Sequence, residues 1–130
     1  MVEPIWRPDK SRIENANITA FKNWLEAENK IIFKDYAAMH QFSLSRKEEF
    51  WRAVWEYSGI IAATRGERVL VNGDCMPGAQ FFPDAKLNFA ENLMRRRDNK
   101  EALVFRAENQ IERRMSWCEL YREVSKIASY

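Results

Sequence analysis

The sequence predicts an α+β chain: a mostly helical N-terminal unit, a connector, a β-hairpin and a C-terminal amphipathic helix. Three observations carry this. Apolar residues recur at three- and four-residue steps behind capping signals in the first sixty residues. Gly and Pro turn signals then cluster between residues 59 and 86. Two β-rich runs separated by a polar turn follow, and a third apolar period runs to the end.

The elements follow in order. Asp9 or Ser11 can cap a short first turn, Ser11 and Glu14 having capping-box spacing. Asn17 is placed to cap a helix bearing Ile18, Phe21, Trp24 and Leu25 on one face. "KDYAAMHQF" fits a third, short helix with Tyr36, Met39 and His40 on neighbouring turns. Ser45 and Glu48 form another capping-box pattern ahead of the stripe Phe50, Trp51, Val54 and Trp55. Gly59 is suited to end that helix in a left-handed conformation. Residues 10–58 therefore read as one helical unit. "RVLV" at 68–71 reads as a short strand, Asn72-Gly73, Pro77-Gly78 and Pro83-Asp84 as turns, and Asn88 as the cap of a short helix with Glu91 three residues on. "ALVFRA" (102–107) and "IERRMSW" read as paired strands joined through Glu108-Asn109-Gln110. Ser116 and Glu119 open the last helix, whose apolar face is Trp117, Leu120, Val124, Ile127 and Ala128. That helix is still periodic at Tyr130 without a stop signal, which suggests a truncated chain.

Composition narrows the function classes. The chain has 130 residues, 46% hydrophobic and 31% charged, in keeping with one globular domain of ordinary size. Aromatics make up 13%, enough ring area to build a core. A net charge of +2 with interleaved signs argues against nucleic acid as a partner. No apolar run approaches the ~20 residues of a membrane span, and "MVEPIWRPDKSR" has no signal-peptide core, so the expectation is no membrane and a cytoplasmic location. Cys75 and Cys118 match no metal or redox spacing and read as reduced thiols.

No residue is assigned to catalysis, cofactor binding or a metal. Gly59, Gly66, Gly73 and Gly78 are too far apart for a phosphate-cradling loop. His40, the single histidine, reads as a partly buried packing residue. One His and two scattered Cys do not make a zinc site. Glu26, Glu28, Glu48, Glu49 and Glu91 read as capping or solvated carboxylates. Arg95, Arg96 and Arg97 are the one basic run and read as the closing turn of the helix after Asn88, complementing its dipole. The aromatic groups Trp51/Trp55 and Phe81/Phe82 read as core or as contacts with another domain.

"PGAQFFPDAKLNFAENLM" resembles the N-terminal region of the acyl-CoA synthetases of the adenylate-forming superfamily, within the acetyl-CoA synthetase group, and most closely its acetoacetyl-CoA synthetase branch. There the pattern runs P-G-A-x-W-F-P-x-A-x-L-N-Y-A-E-N-L. "IWRPDKSRIENANITAFKNWL", "FKDYAAMHQFSLSRKEEFWRAVWEYSGI" and "ALVFRAENQIERRMSWCELYREVSKIA" resemble further family segments, in the family's order. Phe42 and Phe81 stand where the family usually has Trp, and Phe89 where it usually has Tyr. These changes keep apolar bulk and remove an indole N–H or a phenol O–H. The resemblance implies that residues 1–98 are the family's N-terminal region (helical unit about 10–58, connector 59–98). It implies that residues 99–130 begin an α/β catalytic domain. It implies a parent that joins acetoacetate to CoA through an acyl-adenylate, using ATP, Mg²⁺ and CoA at residues beyond Tyr130. The piece itself would be inactive, with the rest of its catalytic domain as partner and, with faces left uncovered, a homodimer as its own state. An acetyl- or propionyl-CoA synthetase, or a stand-alone helical interaction module, are the alternatives.

Overall fold

A computed structural model describes residues 5–108 and 112–129. The architecture is α+β. In chain order the described elements are α1 (Lys10–Glu14), α2 (Asn17–Asn29), α3 (Tyr36–Ser45), α4 (Lys47–Tyr57), β1 (Leu70–Val71), β2 (Gln80–Phe81), α5 (Phe89–Leu93), β3 (Glu101–Arg106), β4 (Glu112–Ser116) and α6 (Trp117–Ala128). The chain divides into two compact units. One holds the residues through Ile60 together with Thr64–Ala85; the other holds Ile61–Ala63 and the residues from Lys86 on.

The first unit is built on α2, α3 and α4. Its core is Phe21, Leu25, Phe33, Met39, Phe42 and Ala53, with Trp24, Phe50 and Val54 packed against it. Leu25 is wholly buried. Phe21 is the hub: its ring meets Phe50 edge-on at 5.8 Å and Tyr57 at 5.1 Å. Edge-to-face pairs of this kind match the positive rim of one ring to the negative face of the next. Helix boundaries follow local chemistry. Asp9 caps α1 by accepting from the Arg12 N–H at 2.8 Å, and Asp35 caps α3 by accepting from the Ala38 N–H at 2.9 Å. Lys30 ends α2 with a left-handed backbone, φ 52°. Gly59 adopts φ 59° just past α4, as its sequence position predicts.

Two capping expectations fail, and the expectation of Asp9 or Ser11 resolves to Asp9. Ser11 lies inside α1, the cap being Asp9. Asn17 is the first residue of α2 and the cap position is Ala16, whose side chain accepts nothing. Ser45 is the last residue of α3, and its hydroxyl donates back to the Gln41 carbonyl at 2.9 Å. That bond uses the oxygen within α3, the usual competition for a serine in a helix. Arg46, with φ −122°, is the hinge between α3 and α4 and pairs with Glu49.

Within the same unit, β1 and β2 form a minimal antiparallel pair, Leu70 facing Phe81 and Val71 facing Gln80. Asn72 turns the chain with φ 54°. Gly66, φ 75°, lies against Asp84 so closely that an added Cβ would fall 2.4 Å from the Asp84 Cβ. No side chain fits there.

The second unit holds α5, the β3–β4 hairpin and α6. β3 and β4 pair antiparallel, Leu103 with Met115 through Arg106 with Glu112, with an irregularity between Glu101 and Leu103. Asn109 and Gln110, where the sequence places the hairpin turn, lie outside the described residues, as does Ile111. α6 packs against both strands. Its start is tied by backbone bonds from the Trp117 N–H to the Lys100 carbonyl and from the Cys118 N–H to the Asp98 carbonyl. Ser116 and Glu119 make the predicted capping box. Met94 is the single buried apolar residue of this unit among the described residues.

Candidate functional site

The connector from Met76 to Arg97 concentrates the features that the sequence singles out, and each half of it serves its own unit. In the first unit Phe81 and Phe82 are adjacent in sequence, yet both rings reach α4. Phe81 meets Trp51 at 5.0 Å and Phe82 meets Trp55 at 4.5 Å. Successive residues of a regular strand point to opposite faces. Phe82 escapes that alternation by leaving β2 with φ 47°, a costly conformation for an aromatic residue. Trp51 and Trp55 stand one helical turn apart, so the two Phe rings close on consecutive turns of one helix face. The Phe82 N–H is held by the Val69 carbonyl at 2.8 Å. Arg68 Nε donates to Asp84 Oδ2 at 2.8 Å as one tine of a two-pronged ion pair. Hydrogen bonding from that guanidinium holds the Asp84 carboxyl below the usual carboxylate range.

In the second unit the organising residues are two asparagines. Asn88 caps α5, accepting from the Glu91 N–H at 3.2 Å. Asn92 faces the isolated segment at Ile61. Its Oδ1 accepts from the Ile61 N–H at 2.8 Å and its Nδ2 donates to the Ile61 carbonyl at 2.7 Å. One amide side chain thus serves both backbone groups of a distant residue, as a neighbouring strand would. The Ala63 N–H adds a bond to the Lys86 carbonyl at 2.8 Å. Sequence reading missed Asn92. An amide on the face of a short helix carries no periodic signal, and its partner lies far away in the chain.

The remaining candidates are placed as follows. His40 is exposed, its ring stacked on Tyr36 at 6.2 Å, which corrects the expectation of a partly buried histidine. The buried face of α3 is Met39 and Phe42, and His40 turns away from it. Glu26 accepts from Lys22 at 2.8 Å and from the Phe33 N–H at 2.6 Å, so it pins the loop after α2. Glu28, Glu48 and Glu91 are exposed. The three arginines lie beyond α5, which ends at Leu93, and so are not its last turn. Arg95 donates to Asn92, Arg96 pairs with Asp98 at 2.7 Å and lies over Trp117, and Arg97 stacks on Tyr121 at 4.0 Å. They fasten the second unit; the geometry does not gather them around an anion. Cys75 is exposed and Cys118 half-buried, both as free thiols. Among the described residues no three His, Cys, Asp or Glu side chains stand close enough to hold a metal ion. No helix among the described residues is long and apolar enough to cross a membrane.

Two of the depressions on the first unit contrast in chemistry. One, about 480 Å³, is lined by Arg46, Lys47, Glu48, Glu49, Arg52 and Asp74. Its charges are largely spent on each other, Arg46 on Glu49 and Lys47 on Asp74. The other, about 420 Å³, is an apolar groove along Ile18, Phe21, Phe50, Trp51, Val54 and Tyr57. Neither brings together a nucleophile and a base, nor a fan of free N–H donors. The contacts made by the stretch from Met76 to Arg97 hold structure within each unit.

Residues 36–93 match the family described as the acetyl-coenzyme A synthetase N-terminus. Proteins similar to the chain include acetoacetyl-CoA synthetases. The one from Rhizobium meliloti (strain 1021) is 42% identical over 95% of this chain and 19% of its own length. The one from Danio rerio is 27% identical over 96% of this chain and 19% of its own. A malonamoyl-CoA synthetase of Penicillium aethiopicum is 29% identical over 71% of this chain and 13% of its own. The chain thus spans about a fifth of the length of the acetoacetyl-CoA synthetases it matches. No solved structure matches it.

Proposed function

We propose that this chain is the N-terminal part of an acetoacetate–CoA ligase. The parent would convert ATP, acetoacetate and CoA into acetoacetyl-CoA, AMP and diphosphate through an acyl-adenylate, in the cytoplasm. The observation that carries the proposal is the 42% identity to the Rhizobium acetoacetyl-CoA synthetase across 95% of the chain. The role of the chain is structural. ATP would need a cradle of free backbone N–H groups, and Mg²⁺ a group of oxygen ligands. Among the described residues no three His, Cys, Asp or Glu side chains could hold a metal ion, and no chemical step is assigned to this chain. The reacting groups would lie in the four fifths of the relatives' length that this chain does not span.

A second reading has its own support. The malonamoyl-CoA synthetase relative favours a sister ligase that activates a different short acid. The deciding experiment inserts this chain into the Rhizobium enzyme in place of the segment it aligns with. Diphosphate release is then assayed with acetoacetate, malonamate, acetate and propionate, beside the 130-residue chain alone. Acetoacetate-dependent turnover by the hybrid and none by the chain alone is the expected result. Turnover by the isolated chain would refute its structural role, and a hybrid that folds but stays inert would remove the main support for the ligase reading.

A further inference from the structure

We infer that the free edge of β3 receives a strand from the same polypeptide, beyond the residues present here, which makes β3 an interior strand and β4 the rim of that sheet. This rests on the reading of the chain as part of a longer ligase.

In the described residues β3 and β4 form a sheet of two strands, so each has one open edge. The edges differ in chemistry. Leu103, Val104 and Phe105 are consecutive and each about half exposed, at 52%, 47% and 57%. A strand with one face in water alternates apolar and polar; a run apolar on both faces belongs to a strand covered on both sides. The charges at the ends of β3 are drawn onto β4: Glu101 and Arg114 pair, and Arg106 pairs with Glu112 at 3.5 Å. Between them β3 offers Ala102 to Phe105 without a charge. β4 carries Glu112, Arg113 and Arg114 in its five residues. Charged side chains along an edge strand are the standard guard against further pairing. One edge is guarded and the other is open.

The occupant is argued from length. The acetoacetyl-CoA synthetase relatives are about five times as long as this chain, and the second unit has Met94 as its single buried apolar residue among those described. So small a core leaves most of the covering surface to come from elsewhere in the polypeptide. Main-chain bonding along an open strand edge would supply it, with alternate side chains of the incoming strand covering the Leu103 and Phe105 face.

The test is amide hydrogen exchange read by mass spectrometry. It compares the 130-residue chain, at a concentration where sedimentation gives a monomer, with the Rhizobium hybrid. The β3 amides left without a β4 carbonyl should exchange at least about a hundredfold more slowly in the hybrid, and the outward amides of β4 should not change. Slowing on β4 with β3 unchanged, or on neither, overturns the inference. So does protection of β3 that arises only in a dimer of the 130-residue chain, which would give the edge to a second copy. Should the hybrid not fold, the same comparison in the Rhizobium enzyme at the strand aligned with β3 decides the matter. The readout is independent of turnover, so an inert hybrid with a protected β3 would count against the acetoacetate chemistry alone and leave the strand pairing within the longer polypeptide standing.

Discussion

Single residues in this chain do work that is out of proportion to their size. Asn92 is the clearest. Replacing it with Asp keeps an acceptor for the Ile61 N–H but removes the donors to the Ile61 and Asn88 carbonyls. Asn92→Asp should lower the unfolding free energy by about 1 kcal/mol, Asn92→Ala by somewhat more, and faster exchange at Ile61 should mark the loss. Gly66 is the steric counterpart. A methyl there collides with Asp84 and sits on a backbone at φ 75°, so Gly66→Ala should cost about 2 kcal/mol in chemical denaturation. Acid should act through the carboxylates. Hydrogen bonding from Arg68 lowers the pKa of Asp84, and bonds from the Ser116 backbone and side chain lower that of Glu119. A folded-state pKa below the unfolded value adds stability that is complete above the unfolded pKa and fades as pH falls through the folded one. The melting temperature should therefore hold from neutrality to about pH 5 and fall below about pH 4. Asp84→Asn should flatten part of that fall; an unchanged acid limb would show that the Arg68 pair does not contribute.

At the scale of elements, the unusual joint is the pairing of two adjacent Phe rings with two turns of α4. A double-mutant cycle on Trp55 and Phe82 should give a coupling of about 1 kcal/mol, and none between Trp55 and Phe81, whose ring meets Trp51 instead. Ser116→Ala should release the start of α6 at a cost of about 1 kcal/mol, read as faster exchange in its first turn. Most elements were legible in the sequence because helical period and local caps are short-range signals. Ser116 with Glu119, Asn88 with Glu91 and Gly59 were read correctly from spacing alone. Ser45 was misread because a serine three residues before a glutamate fits a cap equally well when its hydroxyl has already turned back into the preceding helix. Ala53 and Met94 went unseen: a small residue and an isolated one contribute little to an apolar pattern, although both are buried. The left-handed turn at Phe82 had no signal at all, since it depends on what α4 offers across space.

For the whole molecule, the absence of a proposed catalytic residue is itself testable. The 130-residue chain should release no diphosphate with ATP, acetoacetate and CoA. In this chain Arg97 stacks on Tyr121, Arg96 pairs with Asp98, Asn88 caps, Asn92 clamps and His40 stands in solvent. The class of parent was legible because "PGAQFFPDAKLNFAENLM" carries several constrained positions at once. Phe81, Phe82, Asn88 and Asn92 have distinct jobs in it. Acid specificity was not legible, because no motif in these residues marks a pocket for the acid.

The Asn92 clamp also sets an order of assembly on the ribosome. Its partner Ile61 is made 31 residues earlier, and most of the intervening chain, Thr64–Ala85, belongs to the other unit. At 5–20 residues per second, Ile61–Ala63 waits on the order of a few seconds before Asn92 is synthesised. The helical unit can close during that interval, while the three waiting residues remain open to chaperones. Slowing translation between codons 64 and 92 would lengthen the wait without touching the finished fold.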